Sequence, residues 1–91
     1  MTTAIVLIEA ERGALLTLGG QVASIDGVTE VYSVTGEWDF VAIVRVRRHE
    51  QLAKTIAGEL AGISGVQRTQ TMVAFEAFSD HDLEALFAIG G

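Results

Sequence analysis

The residues with the type and spacing to do chemistry concentrate in one string, Thr35-Gly36-Glu37-Trp38-Asp39-Phe40. Glu37 and Asp39 could engage an ammonium group, backbone N–H groups near Gly36 could receive a carboxylate, and Trp38 could wall an apolar side chain. That combination suits an amino acid. The same string also makes sense as a plain hairpin turn, because Gly supplies a positive φ and Asp is a turn former. The single Trp is the residue a plain turn does not require.

Other candidates are thin. His49 follows Arg45-Val46-Arg47-Arg48 near the start of a helical segment and reads as exposed. Asp80-His81-Asp82 places three potential metal ligands in a row, but consecutive helical residues point in different directions, and acids in a first turn suit the helix dipole. Arg45, Arg47 and Arg48 lack the Gly-rich cradle of a phosphate site and read as a solvated strand end. No nucleophile stands with a base, so no catalytic residue, metal or cofactor is assigned.

The elements that position these residues must come from 91 residues weighing 9.7 kDa, 49% of them hydrophobic, which is enough for a single domain over 1–91. A chain this short buries only about 60 to 65% of its unfolded surface, so it needs a further stabiliser. Zero Cys and two His exclude disulfides and thiolate zinc sites, which leaves self-association. Six Lys and Arg against twelve Asp and Glu give a net charge of −6, opposed to phosphate neutralisation, so no direct nucleic-acid partner is expected. No apolar run exceeds five residues, against roughly 18 for a membrane span. The start Met1-Thr2-Thr3 lacks the basic residues of a secretory signal, and the chain reads as cytoplasmic.

An internal repeat sets the architecture. Residues 4–35 and 42–73 match at nine of 32 positions, from Ala4/Ala42, Ile5/Ile43 and Val6/Val44 to Gly27/Gly65 and Val28/Val66, where roughly two would be expected by chance. Each half opens with a β-rich run, 4–8 or 40–46. Apolar residues at helical spacing follow, Ala14, Leu18, Val22 and Ile25 or Leu52, Ile56, Leu60 and Ile63. A glycine turn then leads into a third, Val- and Thr-rich segment. Gly19-Gly20 and Gly58 cost these helices about 1 kcal/mol each and are expected to allow close packing on a sheet. Two βαβ halves joined through the loop make an α+β fold, a βαββαβ ferredoxin-like plait of the dimeric α/β barrel type. Beyond it, Ser79 caps a C-terminal helix over 79–89 carrying Leu83, Leu86 and Phe87 on one face.

Strand alternation sends Ala4, Val6, Ile8, Ala42, Val44 and Val46 toward the helices. Ile5, Leu7, Val41 and Ile43 remain on the other face, too apolar for water, and predict a two-fold dimer packed sheet on sheet.

The run from Val31 to Phe40, with Gly65-Val66 and Thr69-Gln70-Thr71 behind it, resembles the effector-binding half of the leucine-responsive and asparagine regulator (Lrp/AsnC) family, over about 4–78. The resemblance implies a dimerising module that binds amino acids or related small effectors between dimers and controls higher assembly. Carried over by motif, its contacts are Thr35, Gly36, Glu37 and Asp39 from the loop, beside Trp38, with Thr69 and Thr71 from the last strand. Regulators of that family carry a helix-turn-helix before this module, whereas Met1 here sits three residues from the first strand, resembling the stand-alone type. Such a chain senses a metabolite for another protein or joins full-length relatives in mixed assemblies. The competing class is a small dimeric α/β-barrel enzyme of the monooxygenase or isomerase type, which a pocket lined by His or Tyr between sheet and helices would favour.

The charge predicts that the 91-residue chain alone gives no sequence-specific band shift on DNA. A shift that persists in about 200 mM salt would contradict this.

Overall fold

Alternation in the two apolar runs decides the layers. A computed structural model describes residues 1–78 and contains β1 (Thr2–Ala10), α1 (Leu18–Ala23), β2 (Val28–Ser33), β3 (Phe40–Val46), α2 (Glu50–Ala53) and β4 (Val66–Val73). The expected C-terminal helix, with Asp80-His81-Asp82, lies outside the described residues. The strands form one antiparallel sheet in the order β2-β3-β1-β4, as the ferredoxin-like plait requires. The two repeat-initiating runs are its central pair, with Ala4 opposite Val44, Ile5 opposite Ile43 and Leu7 opposite Val41.

Ala4, Val6, Ile8, Ala42, Val44 and Val46 are all buried beneath the helices, where Leu18 and Val22 of α1 and Leu52 of α2 meet them. Each of the larger side chains contributes about 1.5 to 3 kcal/mol by leaving water. On the other face Ile5, Leu7, Val41 and Ile43 are only half-buried. Register adds neighbours to them: Met72 lies opposite Ile5, Gln70 opposite Leu7 and Tyr32 opposite Val41.

Both helical segments depart from the regular helices that periodicity suggests. The first opens as a 3₁₀ turn over Arg12–Ala14, with Ala14 N–H donating to Glu11 C=O at 2.9 Å, and becomes α-helical only from Leu18. Three glycines within eight residues, Gly13, Gly19 and Gly20, weaken the helix. Its start is also held from outside, where Glu11 N–H donates to Gly65 C=O at 2.8 Å. The second segment widens after α2 into a π-helix over Lys54–Leu60, closed by Ala61 N–H donating to Ile56 C=O at 2.9 Å. Apolar residues every four positions drift about 40° per step on a 3.6-residue helix. The wider turn offsets that drift and returns Leu60 to the core, where it is fully buried.

The expectation that Gly19, Gly20 and Gly58 all serve close packing holds for one of them. A Cβ on Gly19 would stand 3.2 Å from the Phe40 ring, whereas Gly20 and Gly58 face open space. The demanding glycine is Gly65, with φ +101° and a would-be Cβ 2.5 Å from that of Ala14.

Gly65→Ala should therefore lower stability by about 2 kcal/mol or more through backbone strain and overlap together. Gly20→Ala should raise it by about 0.5 to 1 kcal/mol. Urea denaturation midpoints of the two variants check the opposite signs.

Candidate functional site

The loop between β2 and β3 is built around an end condition of the sheet. Backbone groups of Ile8 and Ala10 point to the same side of β1, toward β3, but β3 begins only at Phe40, opposite Ile8. Asp39 completes what the strand leaves open. Its N–H donates to Ile8 C=O at 2.9 Å, and its carboxylate Oδ2 accepts the Ala10 N–H at 2.7 Å. Val34 N–H donates to Asp39 C=O at 3.0 Å and closes the loop. Gly36, at φ +106° with open space around it, makes the turn. Thr35, Gly36 and Glu37 stay exposed, while Trp38 and Asp39 are half-buried.

Arg68 of β4 was not singled out from the sequence, yet it organises this end. Its guanidinium lies 4.3 Å from the Trp38 ring centroid and pairs with Glu9 at 3.3 Å and Glu37 at 3.4 Å. The hydrogen bond it donates to Glu9, then that to Glu37, raises the pKa of Arg68 above its ordinary value. Exposed pairs of this kind add little stability, so their effect is on the orientation of Trp38 and Glu37.

Thr69 and Thr71 lie opposite Ile8 and Val6 and therefore share the helix-facing side of the sheet. Arg68, opposite Glu9, belongs to the other side. Phe40 and Thr69 flank Ile8 across two strand spacings, roughly 10 Å. Within one protomer Thr69 and Thr71 thus lie on the helix-facing side of β4, while the contact of β4 with the 35–39 loop runs through Arg68 on the other side. Thr71 instead lines an apolar groove of about 320 Å³ between α2 and β4, with Leu52, Ile56 and Val73, and with His49 and Glu50 at α2's start.

His49 is exposed, as its position suggests. Tyr32 lies on the opposite face of the sheet, where its hydroxyl donates to Glu30; that bond, with the Glu30 charge, raises the tyrosine pKa. Imidazole and phenol are therefore separated by the sheet. Among the described residues no group of three His, Asp or Glu comes together as a metal site, and no helix is long and apolar enough to cross a membrane.

A four-stranded plait with, among the described residues, two helical segments on one face and a polar loop pinned to a central strand defines the class, a ferredoxin-like α+β domain. The chain belongs to the Lrp/AsnC ligand binding domain family, whose sequence model matches residues 3–83. It is 43% identical over 77 residues to an uncharacterised HTH-type transcriptional regulator of Pyrococcus furiosus, covering 81% of this chain and 51% of that protein. The chain thus spans about half the length of the curated relatives it matches. A crystal structure of a Thermus thermophilus protein superposes with a TM-score of 0.82 at 40% identity, covering 87% of this chain and 99% of that one. A feast or famine regulatory protein from M. tuberculosis, solved in complex with L-methionine, shares the fold at a TM-score of 0.71 and 24% identity, covering 88% and 54% of the two chains.

The Ala10 N–H leaves Asp39 with a structural duty in addition to any ligand contact. Asp39→Ala should cost about 1 to 3 kcal/mol by leaving that donor unpaired, and Asp39→Asn, which keeps an acceptor, should cost less. Thermal unfolding without any amino acid present measures both.

Proposed function

We propose that this chain is the effector-sensing and assembly module of an amino-acid-responsive transcription regulator, binding DNA only through a partner. The observation that carries the reading is a loop held from inside and polar outside. Asp39 and Gly36 fix its backbone, while Thr35, the Gly36 backbone and the Glu37 carboxylate are turned outward. Groups preorganised in this way lower the ordering cost of capturing an ammonium and a carboxylate. The L-methionine complex of the M. tuberculosis regulator supports an amino acid as the effector class. With Thr69 and Thr71 on the helix-facing side of β4, a site that combines them with the exposed loop groups would draw on two subunits, which would couple occupancy to association.

The half-buried face of Ile5, Leu7, Val41 and Ile43, extended by Met72, supports a two-fold homodimer packed sheet on sheet. Dimers then associate further through the loop ends, and full-length relatives of the same family can enter mixed assemblies. The enzyme reading has His49 and Glu50 at one end of the groove between α2 and β4, but that groove is otherwise mostly apolar and Tyr32 lies on the opposite face of the sheet.

Ile43→Asp puts an unpaired carboxylate into the apolar face and should shift the protein to monomer, at a cost of several kcal/mol of association energy. A variant still dimeric by light scattering would remove the sheet-on-sheet arrangement. Gly36→Val strains the turn at φ +106° and should abolish any change of assembly mass produced by amino acids, with the dimer intact. An unchanged mass in the wild-type protein with each of the twenty amino acids, together with no calorimetric heat, would leave an assembly module without a sensor.

A further inference from the structure

At the end of the sheet away from the loop, a cleft of about 290 Å³ opens between the turn before β2, the end of β3 and the π-helical segment. Seven residues of β3 separate it from the loop, roughly 20 Å of strand. The volume falls just below the range for small-molecule sites, about 300 to 1,000 Å³, and suits only a small ligand.

Its rim carries charges of both signs. Arg47 and Lys54 stand on it with Asp26 and Glu59, and among the described residues none of these four forms an ion pair. Arg45 also borders the cleft, but its guanidinium is engaged by Glu30 at 3.6 Å and by the Thr29 hydroxyl at 3.3 Å. Two cations and two carboxylates remain. In the wall lies Thr55, a polar side chain only 6% exposed, and none of the side-chain hydrogen bonds among the described residues involves its hydroxyl. Its Oγ1 is 3.3 Å from where a Cβ on Gly27 would be, so the glycine keeps the space before that hydroxyl open.

The widened helix gives this wall its composition. Lys54 and Glu59 are five residues apart and share one side of the i→i+5 segment, with Thr55 between them and the core. Segments of this geometry recur at functional sites.

We propose that this cleft is a second ligand site, distinct from the loop, that takes a small zwitterion of the α-amino-acid type. The ligand carboxylate is held by Arg47 and Lys54, its ammonium by Asp26 and Glu59, and Thr55 supplies a hydroxyl that can donate or accept. A simple anion is disfavoured by the two carboxylates, and a simple cation by the two basic groups. The requirement for both charges is what marks the site.

Calorimetry on the 91-residue protein with L-glutamine tests this. The probe has two deletion analogues, glutaramate without the ammonium and γ-aminobutyramide without the carboxylate. The Gly36→Val background silences the loop, so heat with glutamine there reports on the cleft alone. In that background glutamine should bind and neither analogue should. Lys54→Ala and Glu59→Gln, both at exposed positions, should each weaken binding about tenfold or more, the loss of one charge-assisted hydrogen bond. Thr55→Ser should bind as before and Thr55→Val should not. No heat in the Gly36→Val protein, equal affinity of glutaramate, or heats unaffected by Lys54→Ala and Glu59→Gln would each overturn the proposal. Binding that depends on Lys54 and Glu59 in a protein whose assembly ignores amino acids would sustain the cleft while refuting the sensing loop.

Discussion

The structure depends on the two-sided hydrophobicity of its central strands. β1 is apolar from Ala4 to Ile8 and β3 at every position but Arg45, whereas the edge strands β2 and β4 are exposed along most of their length. A half-buried sheet alternates apolar and polar residues, and a continuous apolar run belongs to a strand covered on both faces. Among the described residues the helices cover only one. Burial of Val6, Ile8 and Val44 therefore holds the protomer together, and the same two strands present Ile5, Leu7, Val41 and Ile43 to whatever covers the other side. Core and association surface are alternate residues of the same strands, so a one-residue slip between β1 and β3 would exchange them.

That register also builds the loop. Because β3 starts opposite Ile8 while β1 continues to Ala10, one N–H extends past the end of the ladder, and Asp39 accepts it. Past Glu9 the pairing with β4 shifts, from Glu9 opposite Arg68 to Ala10 opposite Val66. Arg68 is the last β4 residue of the regular ladder and lies on the open face, level with Glu9, where it reaches both Glu37 and the Trp38 ring. A polar loop that would otherwise sample many conformations is tied to the most buried part of the sheet by one carboxylate and one guanidinium.

How much of this was legible in the sequence follows from the range of each interaction. The repeat, the strand alternation and the glycine turns are local patterns, and they suffice for the element order and for the two faces of β1 and β3. The ligand-like chemistry of Thr35 to Asp39 was legible as residue types, but the engagement of Asp39 by Ala10, 29 positions away, was not. Arg68 and Glu37 are 31 positions apart, and their meeting depends on the β1–β4 register and the path of the loop, which no sequence spacing reveals. Periodicity also missed the widening of the second helix, because Leu52, Ile56 and Leu60 are equally compatible with a regular helix until the sheet demands that Leu60 face it. Thr69 and Thr71 entered by resemblance alone; the pairing with Ile8 and Val6 then gave them a side of the sheet that residue types could not.

The ends of the open face explain how a chain of net charge −6 can approach a copy of itself. The apolar middle supplies area but no orientation, since dispersion and desolvation are non-directional. At one end Arg68 is shared by Glu9 and Glu37, which leaves one net negative charge there, and at the other Arg45 is neutralised by Glu30, each within the same protomer. Charges already paired at home leave little net field to repel a second face, and as a rim they remain able to exchange partners across an interface. In the proposed dimer the energy then resides in Ile5, Leu7, Val41, Ile43 and Met72, while the two charged ends limit which rotation of one sheet on the other is tolerated.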